Sequence, residues 1–149
     1  MFALLLFDAL RFIPLLCVLG VAAFQDYRCG EVKNILWLYA PIGFLVTIFE
    51  CLLMPSLGPL VLFSMVIGVV LAFALYKIKA FAGADTKALI TISVSVPLTP
   101  LLTGCVLLAP VCVVVVSALV SLPMFLFKGQ KTMRYLPYIW VGTFVSMLI

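Results

Sequence analysis

The sequence predicts an all-α, polytopic membrane protein with about six transmembrane helices, both termini outside and no sizeable extramembrane domain. Three observations carry that prediction. Of the 149 residues, 67% are hydrophobic and only 9% are charged, whereas a soluble domain has about a quarter of its residues charged and a disordered chain is poor in apolar ones. The apolar residues fall in long runs punctuated by polar residues, proline and glycine, each close to the ~20 residues that cross a bilayer. Six such runs would use roughly 120 positions, so residues 1–149 read as a single membrane-embedded domain with short connections.

The runs lie at about 9–25, 34–54, 59–77, 86–102, 105–126 and 135–149. The first has no basic segment before it and reads as a retained helix rather than a cleaved secretory signal. Asp8 and Arg11, three apart on that helix, are expected to pair near the outer interface. Glu50, near the outer end of the second run, is expected to be exposed there. The fourth run is short: Asp85 to Pro97 amounts to roughly 18 Å of helix, less than the ~30 Å hydrocarbon core. Extending it to Leu102 would pass through Pro97 and Pro100 and require a kink, so Asp85 should lie beneath the membrane surface rather than in open solvent.

Loop charge sets the orientation. Arg28 and Lys33 follow the first run, Lys77, Lys79 and Lys87 lie between the third and fourth, and Lys128, Lys131 and Arg134 between the fifth and sixth, so eight of the nine basic residues share one side. The positive-inside rule makes that side cytoplasmic. The net charge of +4 is thus spread over membrane-facing loops, where it suits lipid headgroups and gives no reason to expect nucleic acid.

The chain has no histidine, and its five cysteines show no CxxC spacing, which argues against a zinc site or an imidazole-based triad. The cysteines read as small apolar filler. No internal repeat is apparent, and the halves lack matching interrupted helices, which weakens a transporter reading. Of the five acids, Asp26, Glu31 and Asp85 fall on the cytoplasmic side, with Asp26 ending the first helix and Asp85 opening the fourth. Two carboxylates meeting at one depth would share a proton and could activate a water without metal or covalent nucleophile. The pattern alone leaves other readings open. Asp85 can cap a helix, the acids can form a relay in a proton-coupled transporter or channel, or the protein can be a non-catalytic membrane scaffold.

Two stretches carry a family resemblance. In Asp26-Tyr27-Arg28-Cys29-Gly30-Glu31-Val32-Lys33-Asn34, the aspartate with a basic residue two on, a branched aliphatic six on and an asparagine eight on resembles the first block of the type IV prepilin peptidases, intramembrane aspartic proteases of the GxGD class. Ala82-Gly83-Ala84-Asp85-Thr86-Lys87 resembles the second block, with lysine two residues past the aspartate, and Tyr135-Leu136-Pro137-Tyr138 resembles the opening of the last span. Glu31-Val32 and Gly83-Ala84-Asp85 look closer to the archaeal prepilin and preflagellin peptidases.

The resemblance implies an aspartic endopeptidase in the cell membrane with Asp26 and Asp85 as the catalytic dyad. No metal and no cofactor are implied, and the missing cysteine-rich segment of the large bacterial enzymes implies no methyl transfer. Its partners would be pilin-like or archaellin precursors with a short basic leader, together with membrane lipids; oligomeric state is not implied. Supporting roles fall on Arg28 (headgroup or substrate), Asn34 (cap of the second helix or loop orientation), Gly83 (hinge) and Lys87 (dyad tuning, substrate contact or snorkelling), with Glu31 a candidate for the leader. Two departures stand out: Lys33 replaces a usual proline, and Ala82 and Ala84 replace the two glycines of GxGD. Glycine allows positive φ where alanine resists it, so the loop should bend at Gly83 or keep ordinary φ values.

Overall fold

A computed structural model describes residues 2–96, 109–128 and 135–146. It contains α1 (Phe2–Cys29), α2 (Tyr39–Leu53), α3 (Gly58–Lys77), α4 (Gly83–Ser95), α5 (Ala109–Lys128) and α6 (Leu136–Ser146), with short 3-10 turns at Asn34–Leu38 and Pro55–Leu57. The described residues include no strand, and the protein is a helical membrane protein. Three stretches, Leu10–Cys29, Asn34–Leu53 and Gly58–Lys77, are long and apolar enough to cross a membrane. Their outer faces expose Ile13, Val21, Ile42, Leu45, Leu62 and Val66, side chains suited to lipid.

The helices deviate from the sequence reading at identifiable places. The first runs past Asp26 to Cys29, and the second begins as a 3-10 turn. The fourth stops at Ser95, where Val96 leaves helical geometry (φ −142°, ψ 72°) and gives its N–H to the Ile92 carbonyl at 2.8 Å. Pro97 explains this stop, because a residue preceding proline is pushed out of helical geometry. The anticipated continuation to Leu102, the loop at 97–104, and Lys131 and Arg134 lie outside the described residues, as does the side chain of Asp8.

The shortness of α4 goes with a central position, since it touches all five other helices. Its sequence, GADTKALITISVS, is the most polar of the helical segments, yet Asp85, Thr86, Thr91, Ser93 and Ser95 are all buried. Thr86, Thr91 and Ser93 return their hydroxyls to carbonyls one turn back, at 3.0, 2.8 and 2.6 Å, so three of these polar side chains are satisfied within their own helix. Small residues then bring neighbouring backbones close. A Cβ on Gly43 of α2 would overlap Ser95, and one on Gly68 of α3 would overlap Ser93. Thr47 reinforces the first contact by donating to the Ser95 carbonyl at 3.0 Å. Such close packing is how helices associate where lipid removes the hydrophobic drive between them. The apolar core of Leu15, Leu19, Leu89, Ile92, Val113 and Ile139 closes around this hub.

Glu50 overturns its expected interfacial exposure. It is 7% exposed, Arg11 is 5% exposed, and the guanidinium meets the carboxylate bidentately, with Nη1 on Oε2 and Nη2 3.1 Å from Oε1. Arg11 thus engages a carboxylate on a second helix rather than only neighbours on its own. The Tyr39 hydroxyl also donates to the Arg11 carbonyl at 2.8 Å. Tyr39 opens α2 and Glu50 lies roughly 16 Å further along it, which places Arg11 beside the middle of α2. Desolvation of either ion alone would be costly, and the two-point contact offsets it.

Candidate active site

Both aspartates belong to helix-end structures that fix their backbones. At the end of α1, Gly30 takes φ 72° and gives its N–H to the Asp26 carbonyl at 3.0 Å, an αL cap that glycine forms without Cβ strain. At the end of α3, Lys79 takes φ 59° while the Lys79 and Ala80 N–H groups reach the Tyr76 and Leu75 carbonyls at 3.0 Å each, the paired bonds of a Schellman motif. The left-handed residue of this connection is therefore Lys79. Gly83, the expected hinge, is instead the first residue of α4, and a Cβ added to it would meet nothing within 4 Å. Ala82 is extended (φ −78°, ψ 171°) and Ala84 is helical. Neither position needs positive φ, which is why alanine is accommodated where the resemblance would place glycine.

Asp85 occupies the first turn of α4, ahead of the apolar run, and is 4% exposed. Its Oδ2 accepts the Ala82 N–H at 3.0 Å, and Thr86 donates to the Ala82 carbonyl at 3.0 Å. The capping expectation for Asp85 thus has a concrete form: a carboxylate reaching back to the N-cap amide. Burial pushes the Asp85 carboxyl up to about 6, the Ala82 hydrogen bond opposes that rise, and the negative charge of Asp26 adds to it. Asp26, at the end of α1, is thus close enough for its charge to disfavour ionisation of Asp85 at the start of α4.

The remaining residues arrange around this pair. Lys87 Nζ donates to Asn34 Oδ1 at 2.7 Å, so Asn34 serves as an acceptor between loops. The cap position of its 3-10 turn is Lys33, which makes no side-chain capping bond. Arg28 lies over the Phe24 ring at 5.3 Å, a cation–π contact. It lines a half-open groove of about 430 Å³ together with Phe24, Gln25, Cys29, Glu31, Val32 and Lys33, beside Asp26 at the end of α1.

The family assignment rests on the whole of this region. The type IV leader peptidase family matches residues 13–129, a stretch that includes both aspartates, the groove and the Asn34–Lys87 contact. The chain belongs to the type IV leader peptidase family. It is a membrane protease of the leader-peptidase kind, with aspartic peptidase activity the general activity of the family. No curated protein and no solved structure is significantly similar to it.

Several parts of this leader peptidase's site carried no signal in the sequence reading. Gln25 accepts the Lys33 N–H at 3.1 Å and holds the loop after Asp26, though its residue type looks like ordinary loop polarity. Phe81 is buried against Tyr135, with centroids 5.2 Å apart, and Tyr135 bonds Ser121 at 2.9 Å. This wall anchors the residue just before Ala82. A buried aromatic immediately preceding the second motif was the available clue. Among the described residues, no group of three histidine, cysteine, aspartate or glutamate side chains is placed to hold a metal.

Proposed function

We propose that Asp26 and Asp85 are the catalytic dyad of an endopeptidase that removes the short basic leader from prepilin-like or preflagellin-like precursors at the cytoplasmic membrane face, without transferring a methyl group. The observation that carries this reading is a buried Asp85 carboxyl raised to about 6 with Asp26 as one cause. A pair coupled in this way titrates as a unit and holds one proton up to about pH 6. The ionised member takes a proton from a water whose oxygen attacks the scissile carbonyl carbon. The protonated member gives its proton to the carbonyl oxygen, and the resulting diol collapses as the leaving nitrogen is protonated. Capping and catalysis are compatible, because Ala82 engages Oδ2 of Asp85 and leaves Oδ1 for the reaction.

Sidedness has its own support. The α1–α2 and α3–α4 connections meet through Lys87 and Asn34, and they bring Arg28, Lys33, Lys77, Lys79 and Lys87 to one end of the bundle. Such clustering favours the cytoplasmic leaflet and its anionic lipids. A precursor with a hydrophobic helix in the bilayer would present its leader junction at that level. The groove near Asp26 is lined by Glu31 as well as by Arg28 and Lys33, which offers a basic leader one acidic partner.

The test is cleavage of a membrane-embedded precursor by the purified protein in lipid vesicles. Asp26→Asn and Asp85→Asn should each abolish cleavage while inserting and folding normally. Substantial residual cleavage in either variant would remove that residue from the dyad.

A further inference from the structure

Two like-charged carboxylates tend to move apart, and the direct packing between their helices does little to prevent it. Among its helix contacts, α1 rests chiefly on α6, while α4 rests chiefly on α2 and α3. Polar contacts supply a second connection. Gln25, the residue before Asp26, accepts the backbone N–H of Lys33 at 3.1 Å. Asn34 follows Lys33 directly, and its Oδ1 accepts from Lys87 Nζ at 2.7 Å. Lys87 lies two residues beyond Asp85, whose carboxylate is itself fixed to the Ala82 amide at 3.0 Å. A short circuit thus runs from Asp26 through Gln25, Lys33, Asn34 and Lys87 to Asp85, closed by one hydrogen bond within the α1–α2 connection and one between segments 53 positions apart.

We propose that Gln25, Asn34 and Lys87 are positioning residues that together form a strap setting the separation of Asp26 and Asp85. The inference rests on the dyad reading above. The chemistry of each member fits the task. Lys87 is exposed, so without a partner its long stem would turn toward headgroups; the bond to Asn34 holds it over the 3-10 turn. Asn34 supplies a neutral acceptor, which anchors an ammonium without adding a third negative charge beside two carboxylates. Gln25 ties the loop back onto the last turns of α1, so the Asn34 anchor moves with Asp26. Each bond is accessible to water and contributes little to global stability, and the strap acts on geometry instead.

The test uses the full chain in lipid vesicles with a membrane-embedded precursor. Gln25→Leu, Asn34→Leu and Lys87→Met should each lower kcat roughly ten- to a hundredfold, the sensitivity expected of an ångström-scale misplacement, with KM changed by less than about threefold. The Asn34→Leu/Lys87→Met double variant should be no worse than either single one, since both remove the same link. Lys87→Arg and Asn34→Gln, which keep a cationic donor and a neutral acceptor, should recover most of the rate. A readout independent of turnover comes from spin labels on Cys29 and on a cysteine at the exposed Ala80 position, with the other four cysteines replaced. Their distance distribution should broaden in each strap variant, including in an inactive Asp26→Asn background. Unchanged kcat in the single variants, additive losses in the double variant, or an unchanged distance distribution would each overturn the strap. Retained cleavage in Asp26→Asn or Asp85→Asn would instead overturn the dyad on which it depends.

Discussion

Glu50 and Asp85 are both carboxylates withdrawn from solvent in the same apolar bundle, at 7% and 4% exposure, and their surroundings are opposite. Glu50 faces the Arg11 guanidinium in a two-point contact. Asp85 has the charge of Asp26 acting on it, and its compensation is one backbone amide. The first arrangement satisfies its charge and joins α1 to α2. In the second, burial pushes the carboxyl up to about 6, against the Ala82 hydrogen bond and with a further contribution from the Asp26 charge. Two equally buried carboxylates in this protein thus differ in what compensates them, an ionic partner at Glu50 and a single backbone amide at Asp85.

Substitution at the Glu50 region tests this contrast with the largest effect on stability. Arg11→Leu strands a buried carboxylate and should destabilise the fold by about 3–5 kcal/mol, whereas Arg11→Leu/Glu50→Leu should recover most of the loss. Denaturant unfolding in detergent micelles measures both, and the double variant should still cleave precursor. A double variant as unstable as the single one would mean that the pair holds α1 and α2 in a way apolar packing cannot replace.

The Asp85 region should respond in the opposite sense. Its carboxyl is raised from 3.8 to about 6 in the folded protein, so the folded state binds more protons than the unfolded one between those values. Below that window both states are protonated and nothing is lost. As pH rises through it, stability falls, and the full penalty of about 3 kcal/mol at most is present above it. The carboxamide introduced by Asp85→Asn cannot ionise, yet its oxygen still accepts from the Ala82 N–H. This variant should therefore be more stable than the parent at pH 8, lose that advantage toward pH 4, and remain inactive throughout. Equal stability of variant and parent at pH 8 would contradict the burial cost assigned to Asp85.

The smallest effect is expected at Ala82. Because its backbone is extended with φ −78°, Ala82→Gly should change stability by less than about 1 kcal/mol and leave the cleavage rate near its starting value. A large gain in rate would show that catalysis visits a left-handed conformation at this position.

Much of the architecture was legible because bilayer thickness imposes its length on apolar runs. The third span, anticipated at 59–77, is α3 at Gly58–Lys77. The fourth was legible only in part, since proline punctuation marks a stop or a kink without choosing between them, and the end at Ser95 follows from Val96 preceding Pro97. Asp26 and Asp85 were legible as candidates because charges are scarce, and the residues matched to the family include both. Partner choice was not legible. The expectation from sequence is that Arg11 pairs with Asp8 on its own helix and that Glu50 is exposed, and nothing local points to the contact between Arg11 and Glu50, 39 positions apart. Asn34 and Lys87 are 53 positions apart, and nothing local to either indicates the other. The glycine deficit at Ala82 and Ala84 misleads for a related reason: motif letters do not state φ, and here Lys79 supplies the left-handed turn instead.

The Arg11–Glu50 pair bears on how the chain first enters the bilayer. Arg11 opens the apolar stretch Leu10–Cys29 and Glu50 lies in the last turn of Asn34–Leu53, and an unpaired ion within a spanning helix is costly to insert. Either α1 or α2 inserted alone would present an ion to lipid. The connection between them spans only residues 30–38, short enough for the second helix to arrive while the first is still at the lateral exit. Entry of the two helices together as a hairpin would neutralise both ions before either met lipid.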